Sequence, residues 1–499
     1  MSRNSPTYFD ANWDSLNHYE VPEWFRDAKL GFWAHWSPQC VPEMGDWYAR
    51  NMYSQGHPQY QYHLEHYGHP SRFGYKDICN LWKAENWDPE GLIARYKRAG
   101  GRYFTALGNH HCNFDMWNTT HHTWNSVNVG PKKDIVGEWA KAARAQGLRF
   151  GVTIHSTPSR TWRQFFPLTF GADKEGPLAG VPYDGNLTKQ DGKGLWWEGL
   201  DPQELYTRPH PYGSDPDPEF VENVVLRVKD VIDQYHPDLL YFDDALQPVH
   251  DLETTLGMQD IAPEIAAYFY NASLNWYGIV DVILNVKDVP AHLQKPVVQD
   301  MEHKRFGTIE PFPWQTDTCI GAWHYRRDIH YKGVREKVTE LIDIVSKNGN
   351  MLLNIPMRGD GTIGEDEERF LEGFTRWVDV NGEGIFGTRP WTLYGEGPST
   401  LHTGQIWDTE QVVYTPQDIR FTQKGKELFA FLLAWPEDGR ATIQSLKAGS
   451  SVPAEQIQAI RLCGTPGELT WQQDERGPRV QLPARKPCEH AFTLCIERK

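Results

Sequence analysis

The strongest constraint in the 499-residue chain is a series of short apolar runs, each ending in polar or ionisable side chains. Leu30–Trp33 runs into Ala34, His35 and Trp36, Tyr103–Leu107 into Gly108, Asn109, His110 and His111, and Phe150–Ile154 into His155. Leu239–Phe242 leads to Asp243 and Asp244, and Val282–Leu284 to Asn285, Val286 and Lys287. Val297–Val298 is followed by Gln299, Asp300 and Glu302, and Met351–Leu353 by Asn354. Helical stretches separate several of these runs. Pro89–Arg98 and Lys133–Gln146 each stop at glycine, and Pro218–Tyr235 and Arg335–Lys347 carry apolar residues at helix spacing. Asp217 is a candidate N-cap ahead of Pro218 at the first helical position. Apolar strand, helix, apolar strand is the pattern of parallel β/α units.

Polar residues at the end of strand after strand converge on one face of a (β/α)8 barrel, and that face carries the active site. A doubly wound sheet also binds ligands at strand ends. It does not gather residues from every strand, and no G-x-G-x-x-G loop follows the first run here. The expected fold is therefore α/β, a (β/α)8-type barrel, with a catalytic domain over residues 1–392. After Pro390 the character changes to short β-rich runs with turn signals. These are Ile419–Thr422, Leu428–Trp435, Ala441–Ile443, Ile457–Leu462, Glu468–Trp471, Val480–Leu482 and Ala491–Ile496. They predict a C-terminal antiparallel β-sandwich over 393–499.

A net charge of −16 argues against nucleic acid as a partner, because phosphates call for a basic surface. No run approaches the roughly 20 apolar residues that span a bilayer. Aromatic content is 13%, with 21 Trp, in a chain whose mean hydropathy is −0.62. Many rings in a hydrophilic chain fit a polar cleft walled by flat surfaces, which suits sugars with their apolar C–H faces and hydroxyl edges. Seven scattered cysteines with no C-x-x-C pair exclude a disulfide-dense scaffold or a zinc ribbon, and leave room for one bridge, Cys488 with Cys495. The amino-terminal stretch shows no apolar signal region. That fits a cytoplasmic protein, or a periplasmic or secreted one whose signal has been removed.

Cleaving a glycosidic bond takes two carboxyl groups, one to protonate the leaving oxygen and one to attack or to activate water. Asp243 and Glu302 are the candidate pair. Asp244 competes with Asp243, but adjacent residues leaving a strand point opposite ways, so only one faces the barrel axis. His110 and His111, with His35 and His155 at neighbouring strand ends, indicate a polar pocket. Zinc is the rival explanation for such a cluster. Barrel metallohydrolases carry His-x-His on the first strand, whereas this one ends Ala34-His35-Trp36, so neither metal nor cofactor is expected.

The motifs together resemble glycoside hydrolase family 29, the α-L-fucosidases, over nearly the whole chain. Trp24–Ser37 is similar to the family's first-strand block, which places its sugar-binding histidine at His35. Asp46-Trp47-Tyr48 matches a Glu-Trp-Tyr block with Asp for Glu, and His110–Asn118 matches a Lys-His-His block with Asn109 for Lys. Leu239–Asp244 resembles the nucleophile motif and Asp300–Tyr325 the acid/base region; Ile344–Ile355, Asn381–Trp391 and Ile419–Phe431 complete the match. The resemblance implies retaining release of terminal α-L-fucose from fucosylated glycans or oligosaccharides. Asp243 would be the nucleophile and Glu302 the acid/base. It places Asp46 beside Trp47, and implies that His35, Trp47, His110 and His111 hold hydroxyls, that Trp323 lies against the methyl side and that Tyr241 lines the pocket. Lys287 stands where some relatives have a fucose-contacting arginine, and His155 near a relative's tyrosine. These departures leave open a related sugar such as α-L-galactose. A non-catalytic sugar-binding protein is the reading from another class, and the presence of both carboxylates weighs against it. The stretch Thr157–Tyr206, rich in Gly, Pro and Trp, is expected to form a lid or wall over the outer subsites.

Overall fold

The computed structural model describes residues 8–246, 258–401, 405–408, 412–447, 449 and 456–499; the first seven residues of the amino-terminal stretch lie outside it. Eight parallel strands close a barrel in chain order: β1 Leu30–Ala34, β2 Tyr103–Asn109, β3 Arg149–Ile154, β4 Leu239–Ala245, β5 Ile283–Lys287, β6 Val298–Asp300, β7 Trp314–Cys319 and β8 Gly349–Asn354. Closure comes from β8 pairing with β1, with Gly31 opposite Leu352 and Phe32 opposite Leu353. Nearly every strand residue is buried, which is why most of the strands read as unbroken apolar runs. The expected helices are present as α1 Pro89–Arg98, α2 Ile135–Ala145, α3 Pro218–Tyr235 and, after an unforeseen α4 Met258–Tyr277, α5 Val334–Ser346. Asp217 does cap α3, its side chain accepting from the Glu219 amide. A further helix, α6 Glu365–Asn381, closes the barrel region.

The seven apolar runs omit β7. Its sequence, WQTDTC, has apolar residues only at the ends, because its centre faces a polar patch inside the barrel. Tyr103 donates to Gln315 Oε1 (2.8 Å), and Gln315 Nε2 donates to Asp300 Oδ2 (2.6 Å). Tyr241 donates to Asp317 Oδ2 (3.2 Å), which also lies 3.7 Å from Lys287 Nζ. Burial, and then the neighbouring Asp317, drive the Asp300 carboxyl well above the usual range, so one proton serves the pair.

The last barrel helix ends at Asn381, and an antiparallel sheet begins with β9 Arg389–Glu396. It continues with β10 Ile419–Lys424, β11 Glu427–Leu432, β12 Ile457–Leu462 and β13 Phe492–Arg498, in spatial order β9-β10-β11-β13-β12. A second sheet of Arg440–Thr442, Gly477–Gln481 and Trp471–Asp474 faces it across a shared apolar core. The strand expected at Glu468–Trp471 starts only at Trp471, because the tight turn between Asp474 and Gly477 sets the hairpin register. Side-chain alternation along β11 divides the sheet between two cores. Leu428, Ala430 and Leu432 enter the sandwich, whereas Phe429, Phe431 and Leu433 pack with the barrel. Asp343 on α5 ties the two halves, binding Arg420 Nε (2.6 Å), Arg305 Nε (2.9 Å) and Lys347 Nζ (2.8 Å). The bridge between Cys488 and Cys495 does not form, and all seven thiols are free. Cys488 Sγ faces Ala491 O and Asn381, whereas Cys495 Sγ faces Glu427 from mid-strand, so the two point at different neighbours.

Candidate active site

At the C-terminal ends of the barrel strands a cavity of about 50 Å³ is lined by His35, Asp46, Trp47, His110, His111, His155, Asp243, Lys287, Glu302 and Trp323, with Trp33, Arg160 and Asp317. Every sequence-predicted site residue but one therefore comes together. Tyr241 is the exception: it lies beneath the cavity, its hydroxyl turned to Asp317.

The strand ends hold these side chains by short-range bonds. Asn354, ending β8, accepts from the His35 amide (2.9 Å) and donates to the carbonyls of Ala322 and Trp323. Asn109, ending β2, accepts from the amides of His155 and Ser156 (3.0 Å each), and its Nδ2 donates to Asp115 Oδ1 (2.8 Å). Gln39 Nε2 donates to His110 Nδ1 (2.9 Å), leaving the other ring nitrogen 3.6 Å from Asp46. Asp46 itself is hydrogen-bonded to His324. Trp47, Asp288 and His303 all take left-handed backbone angles, with φ of 61°, 46° and 53°. Such angles persist only where surrounding structure dictates them, and they concentrate at functional sites.

Asp243 and Asp244 diverge as strand alternation requires. Asp243 faces the cavity, with Oδ2 3.1 Å from His111 Nε2 and from His155 Nδ1, and Oδ1 bonded to the Lys287 ammonium. Asp244 turns away to Ser159 and to the Ala245 amide. Lys287 also donates to Glu302 Oε2 (2.8 Å), so a single ammonium joins the two carboxylates. Burial works against the Asp243 charge, but Lys287, His155 and His111 outweigh it and hold its carboxyl well below the usual range. The Lys287 charge likewise lowers Glu302, against burial and the Asp243 charge. Burial pushes His35 and His110 well down and His155 to about 4, so all three are neutral imidazoles at neutral pH. Both ring nitrogens of His35 and of His155 are buried without an aligned hydrogen-bond partner among the described residues.

Two groups, His35 with Asp46, His110 and His324, and His110 with His111 and His155, bring donor atoms within 4.8 Å of one another. Most of these donors are already engaged: His324 with Ser37 and Asp46, His110 with Gln39, His111 with His155 O and Asp243. Buried imidazoles with free nitrogens suit hydroxyl groups, which both donate and accept.

Residues absent from the sequence reading are Trp33, Arg160 and Asp317. Trp33 was discoverable, since it lies two positions before His35 on the same strand face. Asp317 was hidden in the polar strand β7. Arg160 comes from a helical segment, Pro158–Phe165, inside the stretch expected to act as a lid or wall. That segment is a wall here: Arg160 borders the cavity, and the Phe165 ring lies 5.5 Å from Trp47.

Residues 1–383 match the α-L-fucosidase family model, and residues 409–497 that of the α-L-fucosidase C-terminal domain. Rat tissue α-L-fucosidase is 27% identical, the match covering 99% of this chain and 94% of that protein. The Thermotoga maritima α-fucosidase in complex with fucose is 25% identical with a TM-score of 0.72, covering 98% of this chain and 100% of that one. The same enzyme with a mechanism-based inhibitor gives 25% and 0.73 over the same coverage. Matched over most of its length, and carrying this arrangement of carboxylates and imidazoles at the barrel mouth, the chain belongs to the α-L-fucosidase family.

Proposed function

We propose that the protein is a retaining exo-glycoside hydrolase that releases terminal α-L-fucose from fucosylated glycans or oligosaccharides. The observation that carries this reading is the Lys287 ammonium bonded to Asp243 and Glu302 at once, in a cavity also lined by His35, whose ring nitrogens have no hydrogen-bond partner among the described residues. Two hydrogen bonds to one nitrogen keep the facing carboxylate oxygens within about 6 Å. That suits retaining enzymes, with carboxyls about 5–5.5 Å apart, better than inverting ones at roughly 6.5–9.5 Å.

In this mechanism Asp243, ionised and held by His111 and Lys287, attacks the anomeric carbon. Glu302 delivers a proton to the leaving oxygen, which departs with the aglycone, and a glycosyl ester forms on Asp243. Once that ester has neutralised Asp243, the Lys287 charge acts on Glu302 without a competing carboxylate. Glu302 is then a low-pKa base for the water that hydrolyses the ester. His35 and His155, being neutral, each offer a donor and an acceptor to sugar hydroxyls, whereas His110, whose Nδ1 accepts from Gln39, offers its other ring N–H as a donor. Trp323, 5.3 Å from Trp33 and 5.6 Å from His35, supplies a flat wall for an apolar sugar face.

Hydrolysis of a chromogenic α-L-fucoside, followed by NMR of the first-formed anomer, tests the reading, with α-L-fucose expected first. Initial β-L-fucose, or no turnover of any α-L-fucoside, sinks it. Asp243→Gly should abolish activity and recover part of it with azide; the same behaviour at Asp244→Gly would move the nucleophile to the neighbour.

A further inference from the structure

Glu302 borders two cavities. Its side chain is 43% exposed, and it lines both the inner pocket and an outer cavity of about 340 Å³. Arg160 and Lys287 also belong to both, and the outer cavity is completed by residues including Asp288, Lys304, Gln405 and Trp407. The last two come from beyond the barrel, from a short segment that folds back over its mouth. Ile406–Trp407 pairs antiparallel with Lys304–Arg305, only two residues past Glu302.

That returning segment is anchored. Asp408 donates its amide to His303 O (2.8 Å), and its carboxylate takes His303 Nδ1 (2.7 Å), Thr318 Oγ1 (2.8 Å) and the Lys332 ammonium. Its side chain is almost wholly buried. The Trp407 indole therefore stands on a fixed base, and Lys304 Nζ lies 4.2 Å from its ring centroid. Even so, Trp407 remains 47% exposed, at the rim of a cavity whose other lining is mostly charged and amide groups, with Met301 and His303. Arg160 shows a buried Nε with no hydrogen-bond partner among the described residues. An aromatic plane beside convergent donors and acceptors is what a sugar ring requires, and a pre-set plane binds without an ordering cost.

We propose that this outer cavity is the leaving-group subsite and that it takes a sugar residue, seated against Trp407 with Arg160 donating to oxygens near the scissile bond. The inference rests on the fucosidase reading above. It assigns to the segment 405–408 a share in choosing what fucose is attached to. The protein then discriminates between glycan and non-glycan leaving groups through residues outside the strand ends.

The test compares fucosyl disaccharides in several linkages to hexose or N-acetylhexosamine with α-L-fucosyl fluoride, whose leaving atom is too small to reach Trp407. For the best disaccharide, Trp407→Ala should lower kcat/KM about tenfold relative to that for the fluoride. Trp407→Phe, which keeps a ring, should restore most of that ratio. Lys304→Ala should lower it a few-fold by loosening the indole. Turnover of the fluoride by each variant reports that its inner site is folded. A ratio within twofold of the unmodified protein's for Trp407→Ala overturns the subsite alone. If the unmodified protein cleaves neither substrate, the hydrolase reading itself falls, and the subsite with it.

Discussion

Lys287 contacts both carboxylates through one nitrogen, so the proton equilibria of the site run through its charge. Exchange for glutamine keeps a donor but removes the charge, and the pKa values of Asp243 and Glu302 should both rise. On the mechanism proposed above, the acid limb of a kcat/KM profile requires Asp243 ionised and the alkaline limb requires Glu302 protonated. Both limbs of Lys287→Gln are therefore expected at higher pH than in the unmodified protein, and Lys287→Arg should return them; limbs that stay in place would remove Lys287 from this role. At this scale much of the site was readable. Strand alternation allows only one of Asp243 and Asp244 to face the barrel axis, and the family motif points to Asp243; the structure turns Asp243 to the cavity and Asp244 to Ser159. Arg160 was not readable, because it sits in the short helical segment Pro158–Phe165, where neither periodicity nor spacing marks a position as facing the cavity.

Among the strands, β1 and β7 define the limits of what hydrophobic pattern reveals. β7 was missed because Gln315 and Asp317 serve a hydrogen-bonded interior, and a strand with a polar inner face loses its apolar signature. β1 was found easily, yet its glycine hides a steric requirement. A Cβ added at Gly31 would fall 2.2–2.5 Å from Tyr103 ring atoms, so the ring occupies the space that any other residue would need. Tyr103 in turn holds Gln315, which holds Asp300. Gly31→Ala should destabilise the protein by about 1–3 kcal/mol through overpacking, read as a lower denaturant midpoint, and should reduce activity by shifting Asp300 and Asp317 beneath Lys287. An alanine variant with an unchanged midpoint would show that Tyr103 can move freely. The helix ends were more legible: Asp217 acts as the cap that its position before Pro218 suggests.

Seen as a whole, the molecule is two cores sharing one sheet. The alternation of β11 predicts a strand with two buried faces, but no local feature tells which partner covers the second face; that comes only from the barrel's presence. The junction also carries charge. Burial opposes the Asp343 charge, yet Lys347, Arg420 and Arg305 hold its carboxyl far below the ordinary range. Because the folded value lies under the unfolded one of about 3.9, its contribution is complete above about pH 4 and is lost as pH falls toward the folded value. Asp343→Asn leaves three buried cations without their carboxylate and should cost roughly 3–5 kcal/mol. It should also remove part of the acid dependence of unfolding below pH 4, measured by denaturant titration at several pH values. An equal pH slope in both proteins would place the acid sensitivity elsewhere. The seven free thiols offer a different kind of handle. Burial raises them, Cys40 to about 12 and Cys112, Cys319 and Cys463 to about 11, so in the folded state they are poor nucleophiles, and all but the half-buried Cys488 are shielded as well. Cys40, Cys79, Cys112 and Cys319 belong to the barrel, and Cys463, Cys488 and Cys495 to the sandwich. The native chain thus carries its own set of silent labelling sites in each half, and the order in which a thiol reagent finds them records which half opens first.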